Sequence, residues 1–208
     1  MPTLLHIDSS PLYGQSVSRQ LTDAFVTQWK SSHPNGTVID RDLNAISISP
    51  IDAAWVGAMF TPEDARTSQQ KELLALSDML IAELLQADEY VIGVPMHNFS
   101  VPSVLKLWID QIVRAGKTFS YAEGTPKGLI TGKKATFLVA TGGSYDPQTQ
   151  MASFNFVEPY LRSVFGFIGV TDVTFLTAGG TKALHFGQDR SVFLAPHLEA
   201  VRRHAQAI

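Results

Sequence analysis

The amino-acid sequence predicts an α/β fold in which helices cover both faces of a parallel β-sheet. Three apolar runs rich in Val, Ile and Phe predict strands that are buried on both sides, at residues 4–7, 90–94 and 135–140. Shorter runs of the same kind, at residues 38–40 and 173–176, predict two further strands. Helical patterns separate these runs, and strands that alternate with helices are typical of a parallel sheet.

The composition is that of an ordinary globular protein. The chain has 208 residues, of which 45% are hydrophobic and 17% charged, so we predict a single domain over residues 1–208. A formal net charge of −3 provides no basic surface for nucleic acid, and we expect no such partner. The absence of cysteine excludes disulfides, thiolate metal sites and dithiol chemistry, so any redox chemistry requires a cofactor.

The apolar segments are too short to target or span a membrane. Residues 1–8 lack the basic region and the long apolar run of a signal peptide, and no apolar stretch reaches about 18 residues. We therefore expect a cytoplasmic protein without a membrane partner.

The first half of the chain predicts two helices and one insertion. A helix over residues 16–30 follows the first strand, because Leu21, Phe25 and Trp29 recur every four residues. Thr61 is predicted to cap the next helix, since a proline and then acidic residues follow it. Residues 45–65 show no strong strand or helix period at their start, which predicts an insertion of a kind that often contacts a partner subunit.

The second half predicts two more helices with apolar stripes. One begins at Pro102 and Ser103 and ends near Gly116. Its stripe consists of Leu105, Trp108, Ile109 and Ile112. The other occupies residues 188–208, and its packing residues are Phe193, Leu194, Leu198 and Val201.

A hydroxyl-rich loop, residues 8–18, follows the first strand. Ligands of open parallel sheets bind at the carboxyl ends of the strands, so this loop is a candidate site. Ser10, Ser16 and Ser18 can donate hydrogen bonds to a phosphate, which the following helix also attracts through its N-terminal N–H groups. Ser16 acting only as a helix cap is the open alternative. The loop lacks the G-x-G-x-x-G spacing, which favours a mononucleotide over a tightly held dinucleotide.

A second candidate loop, residues 94–103, follows the strand at 90–94 and is held by two prolines. Backbone groups of Met96 to Phe99, with the Asn98 side chain, can bond the edge of a flat ring such as isoalloxazine. Met96 or Phe99 can pack on the face of that ring. The alternative is a tight connection to the next helix, with Phe99 in the core.

A third loop, Thr141-Gly142-Gly143-Ser144-Tyr145, follows the strand at 135–140. Glycines allow a backbone to approach a ligand closely. A simple turn explains the glycine pair equally well, and only the position after a buried strand favours a ligand site.

Several other motifs are absent or incomplete. Residues 128–134 resemble a phosphate-binding P-loop in composition, but only three residues separate Gly128 from Gly132, and Lys134 replaces the hydroxyl residue. The segment also lies before a predicted strand, whereas a P-loop follows one. The six histidines show no metal-ligand spacing, so we expect no metal and assign His6, His33, His185, His197 and His204 to the surface or the core. No G-x-S-x-G sequence is present, which disfavours an α/β-hydrolase.

Taken together, the three loops resemble those of the FMN-dependent NADH:azoreductases, also described as NADH:quinone oxidoreductases. The similarity spans essentially the whole chain. It is carried by Ser9-Ser10-Pro11 with Ser16-Val17-Ser18, by residues 95–106 and 110–121, and by Gly142-Gly143. The resemblance implies a flavodoxin-like three-layer sandwich whose five parallel strands follow the order 2-1-3-4-5, with helices on both faces.

The resemblance also implies a set of FMN-binding residues. They are Ser10, Ser16, Val17 and Ser18 at the phosphate, Met96, His97, Asn98 and Phe99 at the ring edge, and Ala140, Thr141, Gly142 and Gly143 over the pyrimidine side. Two departures stand out: His97 replaces a usual Tyr, and Ala140-Thr141 replaces a usual Ser-Arg. We expect these changes to affect substrate or nicotinamide preference more than FMN retention, because the phosphate loop is intact.

The implied activity is two-electron reduction of quinones and azo compounds by a homodimer with its flavin sites at the subunit interface. The implied reductant is NADH or NADPH, and the implied kinetics are ping-pong. An azo bond is expected to be cleaved to two aromatic amines. Phe119, Tyr121 and Phe165 are the candidate substrate-pocket residues, with core packing as the alternative for Phe165. His97 is a candidate proton donor, and no other side chain is predicted to be catalytic. A non-enzymatic flavodoxin-type electron carrier is the alternative function, and a flavin-binding regulatory protein is a weaker one.

Overall fold

The computed structural model describes residues 1–121 and 124–208, and a five-stranded parallel sheet forms its centre. The strands are β1 (Thr3–Asp8), β2 (Thr37–Asp42), β3 (Glu89–Pro95), β4 (Phe119–Ser120), β5 (Lys127–Gly128), β6 (Lys134–Ala140) and β7 (Asp172–Ala178). The order in the large sheet is β2-β1-β3-β6-β7, while β4 and β5 form a separate antiparallel pair. The predicted strands and their order 2-1-3-4-5 are therefore confirmed, with β6 and β7 as the fourth and fifth.

Helices cover both faces of this sheet, as predicted. They are α1 (Val17–Ser32), α2 (Ala53–Phe60), α3 (Ser68–Gln86), α4 (Ser103–Ile112), α5 (Val157–Ile168) and α6 (Arg190–Ala207). One apolar core lies between the sheet and helices α3, α4 and α5, and another lies between the sheet and helices α1 and α6. Among residues 1–121 and 124–208, no helix is both long and apolar enough to cross a membrane.

The start of the second predicted helix needs a correction. Helix α3 begins at Ser68, and Thr67 caps it through a reciprocal capping box with Gln70. Thr61 instead ends helix α2, and a short 3₁₀ turn, Glu63–Ala65, separates the two helices. Proline and acidic residues after a threonine therefore started a single turn here and not the long helix.

The segment predicted as an irregular insertion contains helix α2. Asp52 caps this helix by accepting a hydrogen bond from the Trp55 backbone N–H at 2.8 Å. Trp55 and Ala58 pack against Leu74 of α3 in a small apolar cluster. Helix α2 has only eight residues, about two turns, so its apolar residues Trp55, Val56, Met59 and Phe60 are too few to show a clear helical period.

The β4–β5 hairpin is held against the end of helix α5 by a close backbone approach. A Cβ atom added at Gly128 would lie 2.2 Å from the backbone nitrogen of Gly169. Gly169 itself has φ of 107°, the left-handed region that favours glycine. The hairpin that carries Phe119 is thus fixed to α5 only because two glycines meet there.

We expect Gly128→Ala to lower the free energy of unfolding by about 3 kcal/mol, because the backbone of Gly169 cannot move aside as the end of a flexible side chain can. Urea denaturation of the apoprotein measures this loss. Gly166→Ala is the matched control: it is exposed inside α5, no atom outside its own helix backbone lies within 4 Å of the added Cβ, and we expect it to stabilise by about 0.5 kcal/mol. Equal effects of the two substitutions would contradict the close approach.

Candidate functional site

One cleft lies where the carboxyl ends of β1, β3 and β6 meet, at the edge of the sheet that the strand rule predicts. Its volume is about 440 Å³, within the usual range for a cofactor site. The predicted cofactor residues that line it are Ser10, Ser16, Val17, Met96, His97, Ala140 and Gly142. Residues of all three candidate loops thus come together in one site.

At one end of this cleft, the first turn of α1 offers free backbone donors. Ser16 caps the helix by accepting a hydrogen bond from the Arg19 N–H at 3.3 Å. The backbone N–H groups of Val17 and Ser18 have no acceptor within the described parts of the chain. The Ser16 and Ser18 hydroxyls lie 3.1 Å apart. Ser16 therefore caps the helix, as the alternative interpretation has it, and the two N–H groups without an acceptor make capping compatible with the predicted phosphate site.

Arg19 fixes the hydroxyl-rich loop from beneath. Its Nε donates to the Ser10 carbonyl at 2.9 Å, while its two terminal nitrogens lie 3.3 Å from Asp8 Oδ2 and 2.7 Å from Asp42 Oδ1. Asp8 is buried, and the Thr22 hydroxyl donates to its other oxygen at 2.9 Å. Burial is the largest single influence on Asp42 and favours its neutral form, but the hydrogen bonds from Arg19 and Asn44, together with the charge of Arg19, outweigh it and lower the pKa of this carboxyl.

His6 extends this charged network away from the cleft. Its Nδ1 lies 2.8 Å from Asp40 Oδ1, and its Nε2 lies 3.4 Å from Asp8 Oδ2 without a well-aligned hydrogen bond. Burial disfavours the imidazolium, but Asp8 and then Asp40 outweigh that cost and raise the pKa of His6.

We expect His6 to stabilise the fold more at low pH than at high pH. Its pKa is raised on folding, so its contribution is complete below the unfolded value of about 6.5 and is lost as the pH rises through the folded value. The stability difference between wild type and His6→Gln, measured by urea denaturation, should be larger at about pH 5.5 than at about pH 8.5. His204→Gln should show the opposite trend, because burial lowers the pKa of His204. The same trend for both variants would contradict this assignment.

The loop after β3 is a tight turn with two residues in the left-handed region. His97 and Ser100 exchange backbone hydrogen bonds at 2.9 and 3.0 Å, and between them Asn98 and Phe99 have φ of 48° and 70°. Positive φ at non-glycine residues is costly and is concentrated at functional sites. The N–H groups of Asn98 and Phe99 have no acceptor among the residues that the structure describes.

Phe99 is not a core residue. It is 40% exposed, and its ring lies 5.2 Å from that of Phe154 and 6.3 Å from that of Tyr145. The Phe99 carbonyl accepts a hydrogen bond from the Phe156 N–H at 3.1 Å. The turn is thus supported by an exposed aromatic cluster beside the cleft.

The loop after β6 is bound to the segment that follows β7. The carbonyls of Thr141, Gly142 and Gly143 accept backbone hydrogen bonds from residues 181, 182 and 180, at 2.9, 3.2 and 3.0 Å. The N–H groups of Gly142 and Gly143 find no acceptor in the described regions, so the loop is held in place through its carbonyls and keeps two free donors. No atom lies within 4 Å of a Cβ built at Gly142, so the backbone is open to a ligand there.

The three candidate substrate residues lie outside the cleft. Phe119 is buried on the β4–β5 hairpin, with ring centroids 4.6 Å from Phe167 and 5.4 Å from the exposed Tyr121. Phe165 is fully buried, and its ring lies 4.9 Å from that of Phe137 in the core. Phe165 therefore packs in the core of this chain, as the alternative interpretation has it, and its substrate-pocket placement stays a prediction.

Sequence reasoning missed the segment between β7 and α6. Thr181, Leu184, His185 and Arg190 line the same cleft. His185 was assigned to the surface or the core, whereas it lies at the cleft. Because β7 ends at the same edge as β6, the strand-end rule applied to the fifth strand would have found this segment.

The free donors of the cleft suit a flat ring that carries a phosphate. Backbone N–H groups and hydroxyls are concentrated at the start of α1, and further N–H groups lie on the loops after β3 and β6. Met96 and Ala140 add apolar surface between these polar ends. The residues present therefore fit FMN.

Comparisons with known proteins identify related sequences. A family model described as the flavodoxin-like fold matches residues 2–204. The chain is 56% identical over 206 residues to an FMN-dependent NADH:quinone oxidoreductase of Acidobacterium capsulatum, covering 99% of this chain and 100% of the relative. It is 51% identical over 200 residues to FMN-dependent NADH:quinone oxidoreductase 3 of Burkholderia lata, covering 96% and 97%.

Solved structures show the same fold. An azoreductase of Bacillus anthracis superposes with a TM-score of 0.90 at 29% identity, over 100% of both chains. An FMN-dependent NADH-azoreductase of the same species, in complex with FMN, superposes with a TM-score of 0.88 at 26% identity, over 100% of this chain and 99% of the other.

Proposed function

This chain belongs to the flavodoxin-like family of FMN-dependent NADH:quinone oxidoreductases, and we propose that it uses NADH to reduce quinones and azo compounds at an FMN held in the cleft. The observation that carries this proposal is that residues of all three candidate loops line one cleft. The similarity to an FMN-dependent azoreductase over the whole chain supports the azo activity.

The residues of the cleft have distinct roles in this proposal. Ser10, Ser16 and Ser18, with the free N–H groups of Val17 and Ser18, hold the phosphate. Residues 96–99 bond the edge of the ring, and residues 140–143 cover its pyrimidine side. The N–H groups of Gly142 and Gly143, which have no acceptor among the described residues, would stabilise negative charge on the bound ring, as an oxyanion hole does.

When bound, FMN supplies the redox chemistry by taking a hydride from NADH and giving two electrons to the acceptor. The cleft would position the ring so that NADH and the acceptor could use the same space in turn. One NADH suffices for a quinone, whereas an azo bond requires two and yields a pair of amines. We also propose that this reaction takes place in the cytoplasm.

His97 is the side chain best placed to influence the acceptor. It is exposed and lines both the cofactor cleft and a neighbouring polar cavity of about 470 Å³. If it donates a proton to the acceptor, His97→Gln should remove the fall in turnover at alkaline pH, where a proton donor is deprotonated, and we expect kcat to fall by about a hundredfold. A pH profile unchanged from wild type would leave His97 only a role in shaping the pocket.

We propose a homodimer in which α2 contributes to the interface. Phe60 at the end of α2 is 74% exposed, and Val56 and Ile51 nearby are more than one-third exposed. Tyr121, which is outside the cleft of its own chain and 62% exposed, is then available to a second copy. Sedimentation equilibrium of wild type and Phe60→Ser tests this: a dimer weakened by the substitution supports the interface, and a monomeric wild type contradicts it.

Steady-state kinetics separate the enzyme from an electron carrier. We expect rapid NADH oxidation by a benzoquinone, with parallel double-reciprocal lines that indicate ping-pong transfer. With an azo dye, two NADH should be consumed for each azo bond. Slow NADH oxidation by the FMN-loaded protein would favour a flavodoxin-type carrier.

A further inference from the structure

Arg190, at the start of helix α6, reaches the phosphate end of the cleft from the opposite end of the chain. It lines the cleft together with Ser16 and Val17. Its Nη2 donates to the Gln15 carbonyl at 2.7 Å, and its Nε donates to Gln20 Oε1 at 3.3 Å. The guanidinium is therefore held on the loop that immediately precedes the free N–H groups of α1.

The charge of Arg190 is not balanced by a neighbouring acid. Both of its hydrogen-bond acceptors are neutral, and no carboxylate lies within 4 Å of it among residues 1–121 and 124–208. The adjacent Asp189 instead accepts from the Ser191 hydroxyl and the Val192 N–H, at 2.5 and 3.0 Å, as the cap of α6. Arg19, in contrast, is paired with two carboxylates.

The position of Arg190 is also unfavourable for the helix itself. It is the first residue of α6, where the helix dipole disfavours a positive charge. A half-buried cation that is placed against a dipole, has no acidic partner and faces a cleft is typical of a ligand-binding residue.

We propose that Arg190 binds the 5′-phosphate of FMN and supplies the positive charge that the serine loop lacks. This inference rests on the proposed function. The serines and the N–H groups of α1 bond the phosphate oxygens without cancelling their charge, whereas Arg190 neutralises part of it. Helix α6 is thereby joined to cofactor binding through a residue outside the three loops.

Equilibrium titration of the apoprotein with FMN and with riboflavin tests this directly. In Arg190→Gln, the glutamine amide retains a donor for the Gln15 carbonyl but no charge, and we expect FMN to bind about ten- to a hundredfold more weakly. Riboflavin lacks the phosphate, so its affinity should stay within about twofold. Arg190→Lys should recover part of the FMN affinity, and Arg202→Gln, on an exposed part of the same helix, should bind as wild type does.

Salt dependence distinguishes a charge effect from a loosened loop. We expect the gap between wild type and Arg190→Gln to shrink between about 20 mM and 500 mM NaCl, because salt screens a partly exposed charge. Equal FMN affinity in Arg190→Gln and wild type, a gap independent of salt, or a change only in the KM for NADH would each overturn the inference. A wild-type protein that binds no FMN would instead contradict the proposed function.

Discussion

Ser16→Asp is expected to lose FMN affinity by at least about a hundredfold while it keeps its fold. Aspartate caps a helix as well as serine does, so the hydrogen bond to the Arg19 N–H is retained and α1 remains intact. The new carboxylate, however, adds a negative charge at the site of the phosphate. Two like charges about 4 Å apart near a protein surface repel by about 4 kcal/mol. This exceeds the roughly 2.8 kcal/mol that corresponds to a hundredfold loss of affinity.

Ser16→Asn is the matched control for this experiment, because asparagine caps equally well and carries no charge. We expect its FMN affinity to fall by no more than about tenfold. Titration of the apoproteins with FMN, followed by flavin fluorescence, gives both values, and circular dichroism checks the fold. If Ser16→Asp and Ser16→Asn bound FMN equally well, the phosphate would not lie at α1.

Arg19→Met is expected to lower the free energy of unfolding of the apoprotein by about 3 kcal/mol or more. The substitution removes the permanently charged partner of buried Asp8 and leaves only the titratable His6, 3.4 Å away, and breaking a buried ion pair is strongly destabilising. It also removes the hydrogen bond that fixes the Ser10 carbonyl. Urea denaturation without FMN measures the loss free of any contribution from cofactor binding.

Two further variants make this prediction specific. Asp8→Asn combined with Arg19→Met removes both charges, and we expect it to recover at least about 1 kcal/mol of the loss. Arg162→Met breaks a half-exposed ion pair with Glu158, and we expect a cost below about 1 kcal/mol. Similar losses in Arg19→Met and Arg162→Met would show that the network beneath the loop does not stabilise the fold.

Local patterns predicted most of the sheet and its helices because their physical causes are local. Strands buried on both faces need continuous apolar runs, and the stripe Leu105, Trp108, Ile109 and Ile112 is buried as its spacing requires. The alternative of core packing for Phe165 likewise agrees with its complete burial. The cap of α3 was predicted at Thr61 instead of Thr67 because polar residues follow both threonines. Thr61 is instead the end of α2, whose position depends on tertiary packing.

The charged network around Asp8 and the contribution of Arg190 to the cleft depend on tertiary structure. Parallel register places Asp8 beside both Asp42 and Gly93, and only then can Arg19 bridge the two carboxylates. Gly93 is required there, since a Cβ at this position would lie 2.9 Å from Asp8 Oδ1. Arg190 meets Gln15 across 175 positions of sequence, a separation at which no local pattern operates.

The most direct test is the visible spectrum of the purified protein, recorded before and after anaerobic addition of NADH and then of a benzoquinone. We predict a yellow protein that is bleached by NADH and regains its colour when the quinone is added. A colourless protein that cannot be reconstituted with FMN would contradict the assignment of the cleft as an FMN site.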